Sequence, residues 1–206
     1  MWFKVRARDG RPLYIAICYF PPSTSHFASP KGQSPYTILD EDIWEFSRDG
    51  DVILLGDFNA RTACHQSSFF DTSEEILREL DLDELGMTRR SQDAEECTEY
   101  GRYLLEMGTA HGLAILNGLD RYPHGGGFTC FPHRHGASTV DYVLAPIALV
   151  SRIQELSVSS RPIGVVVDHA YISCRVDFHY TAGRPQKTAH RRPRYTFCRE
   201  TDGVYT

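Results

Sequence analysis

Val52-Ile53-Leu54-Leu55 is a run of four branched aliphatic residues that stops on Gly56-Asp57-Phe58-Asn59. Four apolar residues in a row offer no polar face to water, so as a strand the run must be covered on both sides. A strand covered on both sides needs layers above and below it, which points to an α/β or α+β domain. No apolar stretch in the 206 residues approaches the roughly 18 that a membrane span requires, so no membrane partner is expected.

The neighbouring segments read as parts of the same domain. Trp2–Val5 and Leu13–Tyr19 are predicted strands, joined by Asp9-Gly10 turn chemistry. In the second, Leu13, Ile15, Ile17 and Tyr19 share one face, and Pro21-Pro22 ends it. Ile38–Phe46 reads as a helix that Asp49-Gly50 closes, and Thr72-x-x-Glu75 is a capping box ahead of Ile76, Leu77 and Leu80. Tyr103, Leu104, Met107 and Ala110 lie on one helical face, with Gly112 suited to the position after the cap. Further strands are expected at Leu113–Leu116, Phe128–Phe131, Thr139–Val143, Ile153–Val158, Val165–Val167 and Tyr171–Phe178. The periodicity fades near Tyr180. The chain is read as one domain over residues 1–179, followed by a basic tail over residues 180–206 with the composition of a disordered segment.

Charge sharpens that division. The net charge is −5. From Tyr180 onward six Lys/Arg face two acids, giving +4, so the remainder holds 16 basic and 25 acidic residues, or −9. An acidic body can hold a cation, and a basic tail can touch phosphates. The six cysteines form no C-x-x-C pair, and the first residues lack a signal peptide, so reduced thiols in an intracellular protein, nuclear or cytoplasmic, are expected. Cys130-x-x-His133-x-His135 is set aside as a zinc site, because a His-x-His spacing on a strand points its rings oppositely and no fourth ligand lies near in sequence. His124-Gly125-Gly126-Gly127 lacks the Lys-Ser/Thr of a phosphate-binding loop and reads as a turn.

Four places could carry chemistry. Asp57 and Asn59 follow the buried run, where open α/β sheets place ligands; an acid there can accept a proton, and an amide can orient an acceptor beside it. The same pair also fits an Asx turn or helix cap. Asp141 lies inside Ser138-Thr139-Val140-Asp141-Tyr142-Val143, where a buried carboxylate requires a partner. Val167-Asp168-His169 supplies a histidine, and a carboxylate against imidazole fixes its tautomer. Tyr19, at the end of Ile15–Phe20, could donate to a phosphate oxygen or simply pack with a wet tip.

In this order, Tyr19-x-Pro21-Pro22, Gly56-Asp57-Phe58-Asn59, Phe128-Thr129, Ser138–Val143 and Asp168-His169 together resemble the endonuclease/exonuclease/phosphatase superfamily. Leu54–Arg61, Leu113–Gly118 and Asp141–Ala145 are similar to the endonuclease domains of non-LTR (LINE-type) retrotransposons. The resemblance covers about residues 2–178. It implies a four-layer α/β/β/α sandwich and metal-dependent phosphodiester hydrolysis with Mg2+ or Mn2+, DNA being the partner. By motif, Asp57 would activate water and Asn59 would position it. His169 would contact the phosphate with Asp141 holding its ring, and Tyr19 would support the phosphate. Arg61 and Thr129 would bind substrate, and Asp168 and Asp57 would hold the metal.

The resemblance also implies a departure. The family begins with a strand carrying Asn and a strand carrying a metal-binding Glu, and neither motif precedes Trp2. On that comparison the sandwich lacks its first strands and about a third of the domain, and the metal site is depleted, with Glu41, Asp42 or Asp71 as candidate replacements. Two alternatives stay open: a phosphatase of the same fold acting on a phosphoinositide or nucleotide, and an inactive remnant or nucleic-acid-binding module.

Overall fold

A computed structural model of the chain describes residues 1–6, 11–28, 32–66, 86–93, 96–132, 136–160 and 167–177. The Asp9-Gly10 turn, the Thr72–Glu75 capping box, Asp71, His133, His135, Val165, Val166, Phe178 and the basic tail lie outside these residues. Ten elements follow in chain order: β1 (Trp2–Arg6), β2 (Pro12–Tyr19), α1 (Pro35–Ser47), β3 (Asp51–Asp57), α2 (Glu99–Ala110), β4 (Leu113–Ile115), β5 (Asp141–Pro146), α3 (Ile147–Val150), β6 (Ile153–Val158) and β7 (Ile172–Val176).

Five strands form one sheet in the order β1-β2-β3-β5-β4, and β6 pairs with β7 in a second. β2 and β3 are parallel and all other pairs antiparallel. The parallel pair needs a crossover, and α1 provides it. Ser34 caps α1, its hydroxyl accepting from the Tyr36 N–H at 3.2 Å, and Pro35 suits the first turn, where an N–H would find no partner. Thr98 caps α2 in the same way, accepting from the Gly101 N–H at 3.1 Å. Gly112 follows α2 at φ +62°, the left-handed conformation expected there.

The run Val52–Leu55 is covered on both sides, as its composition requires. Val52 and Leu54 join Tyr14, Ala16, Cys18 and Phe20 against Leu39 and Ile43 of α1 and Leu104 and Met107 of α2. Ile53 joins Leu13, Val143 and Ala145 on the other face, against Ile153 and Leu156 of β6. Each fully buried aliphatic side chain contributes roughly 1.5–3 kcal/mol. Among the described residues the layers are therefore helices, the five-stranded sheet and the two-stranded sheet.

β2 follows the alternation but not with uniform cover. The face of Tyr14, Ala16 and Cys18 is buried, whereas the face of Leu13, Ile15, Ile17 and Tyr19 is buried only at its start; Ile17 is 48% and Tyr19 72% exposed. Among the described residues the apolar side chains of the second sheet pack with Leu13, Ile15 and Ile53 rather than with Ile17 and Tyr19. The expected strand Thr139–Val143 begins at Asp141; ahead of it the Thr139 and Val140 N–H groups go to the Asp93 carboxylate and the Thr129 hydroxyl. Phe128–Phe131 contributes isolated bridges at Cys130 in place of a strand. At the edge of β4, the Gln66 side chain donates to the Ile115 carbonyl and accepts from its N–H, both at 2.8 Å. The described cysteines, 18, 64, 97, 130 and 174, are free thiols. Among the described residues no helix is long and apolar enough to cross a membrane.

Candidate active site

Asp57 is the last residue of β3 and Asp141 the first of β5. The strands run antiparallel, so these ends coincide and the two residues are register partners. Tyr19, the last residue of β2, is the partner of Asp57 on its other side. Partners on adjacent strands point to one face, so the three make a polar row across the end of the sheet. The row continues the face of Leu13, Ile53 and Val143, at the rim of the inter-sheet core.

Gly56 permits the row. Its φ is +133°, and a Cβ there would stand 2.0 Å from the Cys18 carbonyl oxygen. Past it the chain tightens into an Asx turn. Asp57 Oδ1 accepts from the Asn59 N–H at 2.8 Å, and Asp57 Oδ2 accepts from Asn59 Nδ2 at 3.1 Å. Asn59 itself is left-handed at φ +47°, a conformation Asn tolerates better than most residues. Its Nδ2 also donates to the Phe20 carbonyl at 2.6 Å. With its amide nitrogen so engaged, Asn59 has Oδ1, an acceptor, to offer a ligand.

His169 arrives from a distant segment. The Phe131 N–H donates to the Asp168 carbonyl at 2.6 Å and the Ala170 N–H to the Thr129 carbonyl at 2.8 Å. Thr129 and Cys130 are bound in turn to Ser138, so a short ladder carries His169 to the start of β5. There His169 Nδ1 lies 2.8 Å from Asp141 Oδ2. The ring nitrogen donates to the carboxylate, which leaves Nε2 for other work.

The side chains expected to touch substrate sit behind this arrangement. Thr129 is fully buried, and its hydroxyl accepts from the Val140 and Asp141 N–H groups at 3.0 and 3.1 Å. It therefore fixes the backbone of Asp141. Arg61 donates from Nε to Asp93 Oδ2 at 2.9 Å and from Nη2 to Asp93 Oδ1. Asp93 is buried and also accepts from the Thr139 N–H at 3.0 Å. Tyr19 is exposed at the end of the row.

Two positions escaped the sequence. Asn117 is buried, accepts from the Val143 N–H at 2.8 Å, and donates to the Asp141 carbonyl at 3.3 Å. Its amide prolongs β4 alongside β5 where the strand itself stops. Asp93 braces the segment leading into Asp141. Asn117 precedes Gly118 and reads as a turn in sequence, while Asp93 has no local pattern. The only signal for either is a polar residue whose neighbours in space are backbone N–H groups.

The electrostatics follow from this crowding. Burial pushes Asp57 up to about 6; the Asn59 N–H opposes that, and the Asp141 and Asp168 carboxylates add to it. Burial lowers the pKa of His169, but Asp141, Asp57 and Asp168 outweigh it and the ring is held above its ordinary value. Burial, aided by the same three acids, pushes the Cys130 thiol up to about 11.

Two groups of metal-capable atoms result, each with its ligand atoms within 4.8 Å of one another: Asp57, Asp141 and His169, and Cys130, Asp168 and His169. Asp57 and Asp168, expected to share an ion, thus fall in different groups that His169 joins. Asp42 belongs to neither and accepts from the Trp2 indole at 2.9 Å. Asp57 and Asp141, side by side in partial burial, suit a hard divalent cation, which takes oxygen ligands and keeps several waters.

No family model and no curated protein sequence matches the chain. Solved structures do. The 3′-5′ exonuclease NExo from Neisseria meningitidis matches with TM-score 0.52 and 19% identity, covering 81% of this chain and 62% of that one. The 3′ phosphatase NExo from Neisseria bound to product DNA hairpin gives 0.51 and 18%, covering 81% and 61%. The endonuclease domain of TRAS1, a telomere-specific non-LTR retrotransposon, gives 0.53 and 19%, covering 87% and 62%. The chain has the endonuclease/exonuclease/phosphatase fold and spans about 62% of the length of these structures.

Proposed function

We propose that this domain hydrolyses phosphodiester bonds of DNA with the help of Mg2+ or Mn2+. The observation that carries the reading is the convergence of Asp57, Asp141 and His169, 112 positions apart at the extremes, into one group of atoms at the end of the sheet. The names of the matched structures, two of them nucleases and one bound to a DNA product, favour DNA as the substrate.

In this reading Asp57 accepts a proton from the attacking water. Burial holds this carboxyl at about 6 in the metal-free site, and a cation beside it would keep it ionised at neutral pH, ready to accept the proton. Asn59 Oδ1 accepts the water's other hydrogen and so aims it. His169 keeps a proton on Nδ1 toward Asp141, and Nε2 faces the phosphate oxygens. Tyr19 supports the phosphate from the neighbouring strand, while Thr129, Arg61 and Asn117 hold the row in place. Asp57 and Asp141, whose carboxylates share one group, would bind the cation, whose chemistry is to offset charge that grows on the phosphate and the leaving oxygen.

Nicking of supercoiled plasmid with Mg2+ or Mn2+ tests the reading. A chelator should stop it, and His169→Ala and Asp57→Asn should each reduce it by at least about a hundredfold. Unchanged nicking in both variants would refute the assignment. An oligonucleotide ending in a 3′-phosphate, used in parallel, separates the phosphatase alternative: release of phosphate without nicking would assign the site to monoesters.

A further inference from the structure

Cys130 is left over from the hydrolytic reading, yet the fold holds it against His169. The Phe131 N–H donates to the Asp168 carbonyl and the Ala170 N–H to the Thr129 carbonyl. That pattern makes Cys130 and His169 the directly opposed, non-hydrogen-bonded pair of an antiparallel bridge. Side chains of such a pair stand on one face, with Cβ atoms about 4.5–5.5 Å apart. Cys130 is tied on its other side to Ser138 by two backbone hydrogen bonds of 2.9 Å. The approach of sulfur to imidazole is thus set by backbone on both flanks.

Asp168 completes the group, its ligand atom within 4.8 Å of those of Cys130 and His169. Sulfur, imidazole nitrogen and carboxylate oxygen form the donor set of a borderline-soft tetrahedral ion, with bonds of about 2.3, 2.0 and 2.0–2.2 Å to zinc. Donors at those bond lengths span less than about 4 Å from one another, inside the observed window. Asp141 on Nδ1 orients the ring and raises its basicity, as carboxylates behind metal-bound histidines do. A thiol is a poor ligand for Mg2+, so Cys130 separates this site in chemistry from the hydrolytic one.

We propose that Cys130, Asp168 and His169 form a site for a thiophilic divalent cation such as Zn2+, and that filling it switches hydrolysis off by drawing His169 away from the phosphate. The inhibition rests on the hydrolytic reading; the binding does not. On binding, the S–H bond breaks, a sulfur–metal bond forms, and the proton passes to the buffer, with no change of oxidation state.

The test uses the full chain stripped of metal, with Co2+ as an optical probe and Zn2+ in competition with a chromophoric chelator. One Co2+ should bind with a near-ultraviolet sulfur-to-cobalt charge-transfer band that Zn2+ erases. Cys130→Ser should abolish the band and weaken Zn2+ by about a hundredfold, and Asp141→Asn should weaken it by about 10–100-fold. Asp168→Asn, at an exposed residue, should weaken Zn2+ comparably without burdening the fold. Cys64→Ser, at an exposed thiol, should change neither reading. In the nicking assay Zn2+ should inhibit the parent chain and spare Cys130→Ser. A cobalt–sulfur band that survives in Cys130→Ser, or an unchanged Zn2+ affinity in Asp168→Asn, would overturn the site. A band lost as expected in a chain that never nicks DNA would keep the site and refute the hydrolytic reading instead.

Discussion

Asp57→Asn should stabilise the metal-free protein at alkaline pH while destroying its activity. Burial holds the folded Asp57 carboxyl at about 6, against an ordinary value of 3.8. Its folded pKa lies above its unfolded one, so the folded state binds the extra proton between them. The stabilising contribution is full below about pH 4 and is lost as pH rises through about 6. A shift of about two units corresponds to at most roughly 3 kcal/mol, and because the carboxyl is partly exposed solvent screening reduces this to about 2 kcal/mol. The asparagine keeps an acceptor for the Asn59 N–H but turns an N–H toward Asn59 Nδ2, which costs about 1 kcal/mol. The variant should therefore exceed the parent by about 1 kcal/mol near pH 8, or about 2–4 °C for a chain of this size, and match it within a few degrees near pH 4. Thermal melts followed by far-ultraviolet circular dichroism in EDTA measure both. Adding Mg2+ near pH 8 should raise the parent and not the variant, because a cation stabilises the ionised carboxylate. Melting curves that stay parallel across the pH range would show that Asp57 is not desolvated, and the argument for a poised base would fail.

Other substitutions probe the supports. Asp141→Asn should lower the His169 pKa, read from its ring resonances by NMR, and with it the stability that protonated His169 confers below its folded pKa. Thr129→Val should cost about 1–3 kcal/mol by urea denaturation, since it strips the Val140 and Asp141 N–H groups of their acceptor, whereas Thr129→Ser should cost under about 1 kcal/mol. Gly56→Ala should cost about 3 kcal/mol or more, or leave the chain insoluble, because its Cβ would meet the Cys18 carbonyl at 2.0 Å with φ at +133°.

The residues that could be read from sequence are those whose oddity is local. Asp57 stood out because an unbroken apolar run stopped on it. Asp141 stood out because an acid in an apolar strand demands a partner, and the structure supplies His169 at 2.8 Å. Asn117 and Asp93 could not be read, since they serve backbone groups 26 and 46 positions away, and Thr129, expected at the substrate, carried no sign of its hold on Val140 and Asp141. Alternation in β2 separated its faces correctly but said nothing of which one a partner would cover over its whole length. The four-residue helix Ile147–Val150 was missed because a single turn is too short for a helical period to register; Pro146 before it was the one hint. Cys130 was dismissed on the spacing of its neighbours in sequence, while its structural partners lie 38 and 39 positions away.

The side chain of Gln66 has a consequence for how this chain behaves in company. Among the described residues β4 is the border of the five-stranded sheet, and a border strand displays free peptide groups that invite a strand from another molecule. Gln66 gives Ile115 the donor and acceptor that an intruding strand would offer, in the same two hydrogen bonds. At the opposite border of the described sheet β1 carries Lys4, which pairs with Asp49, and Arg6, and charged side chains on a border strand disfavour pairing with another strand. Gln66 thus acts as a one-residue plug against sheet-to-sheet aggregation at the border that has no charge to protect it, and a shorter side chain there would leave that peptide group open to any passing strand.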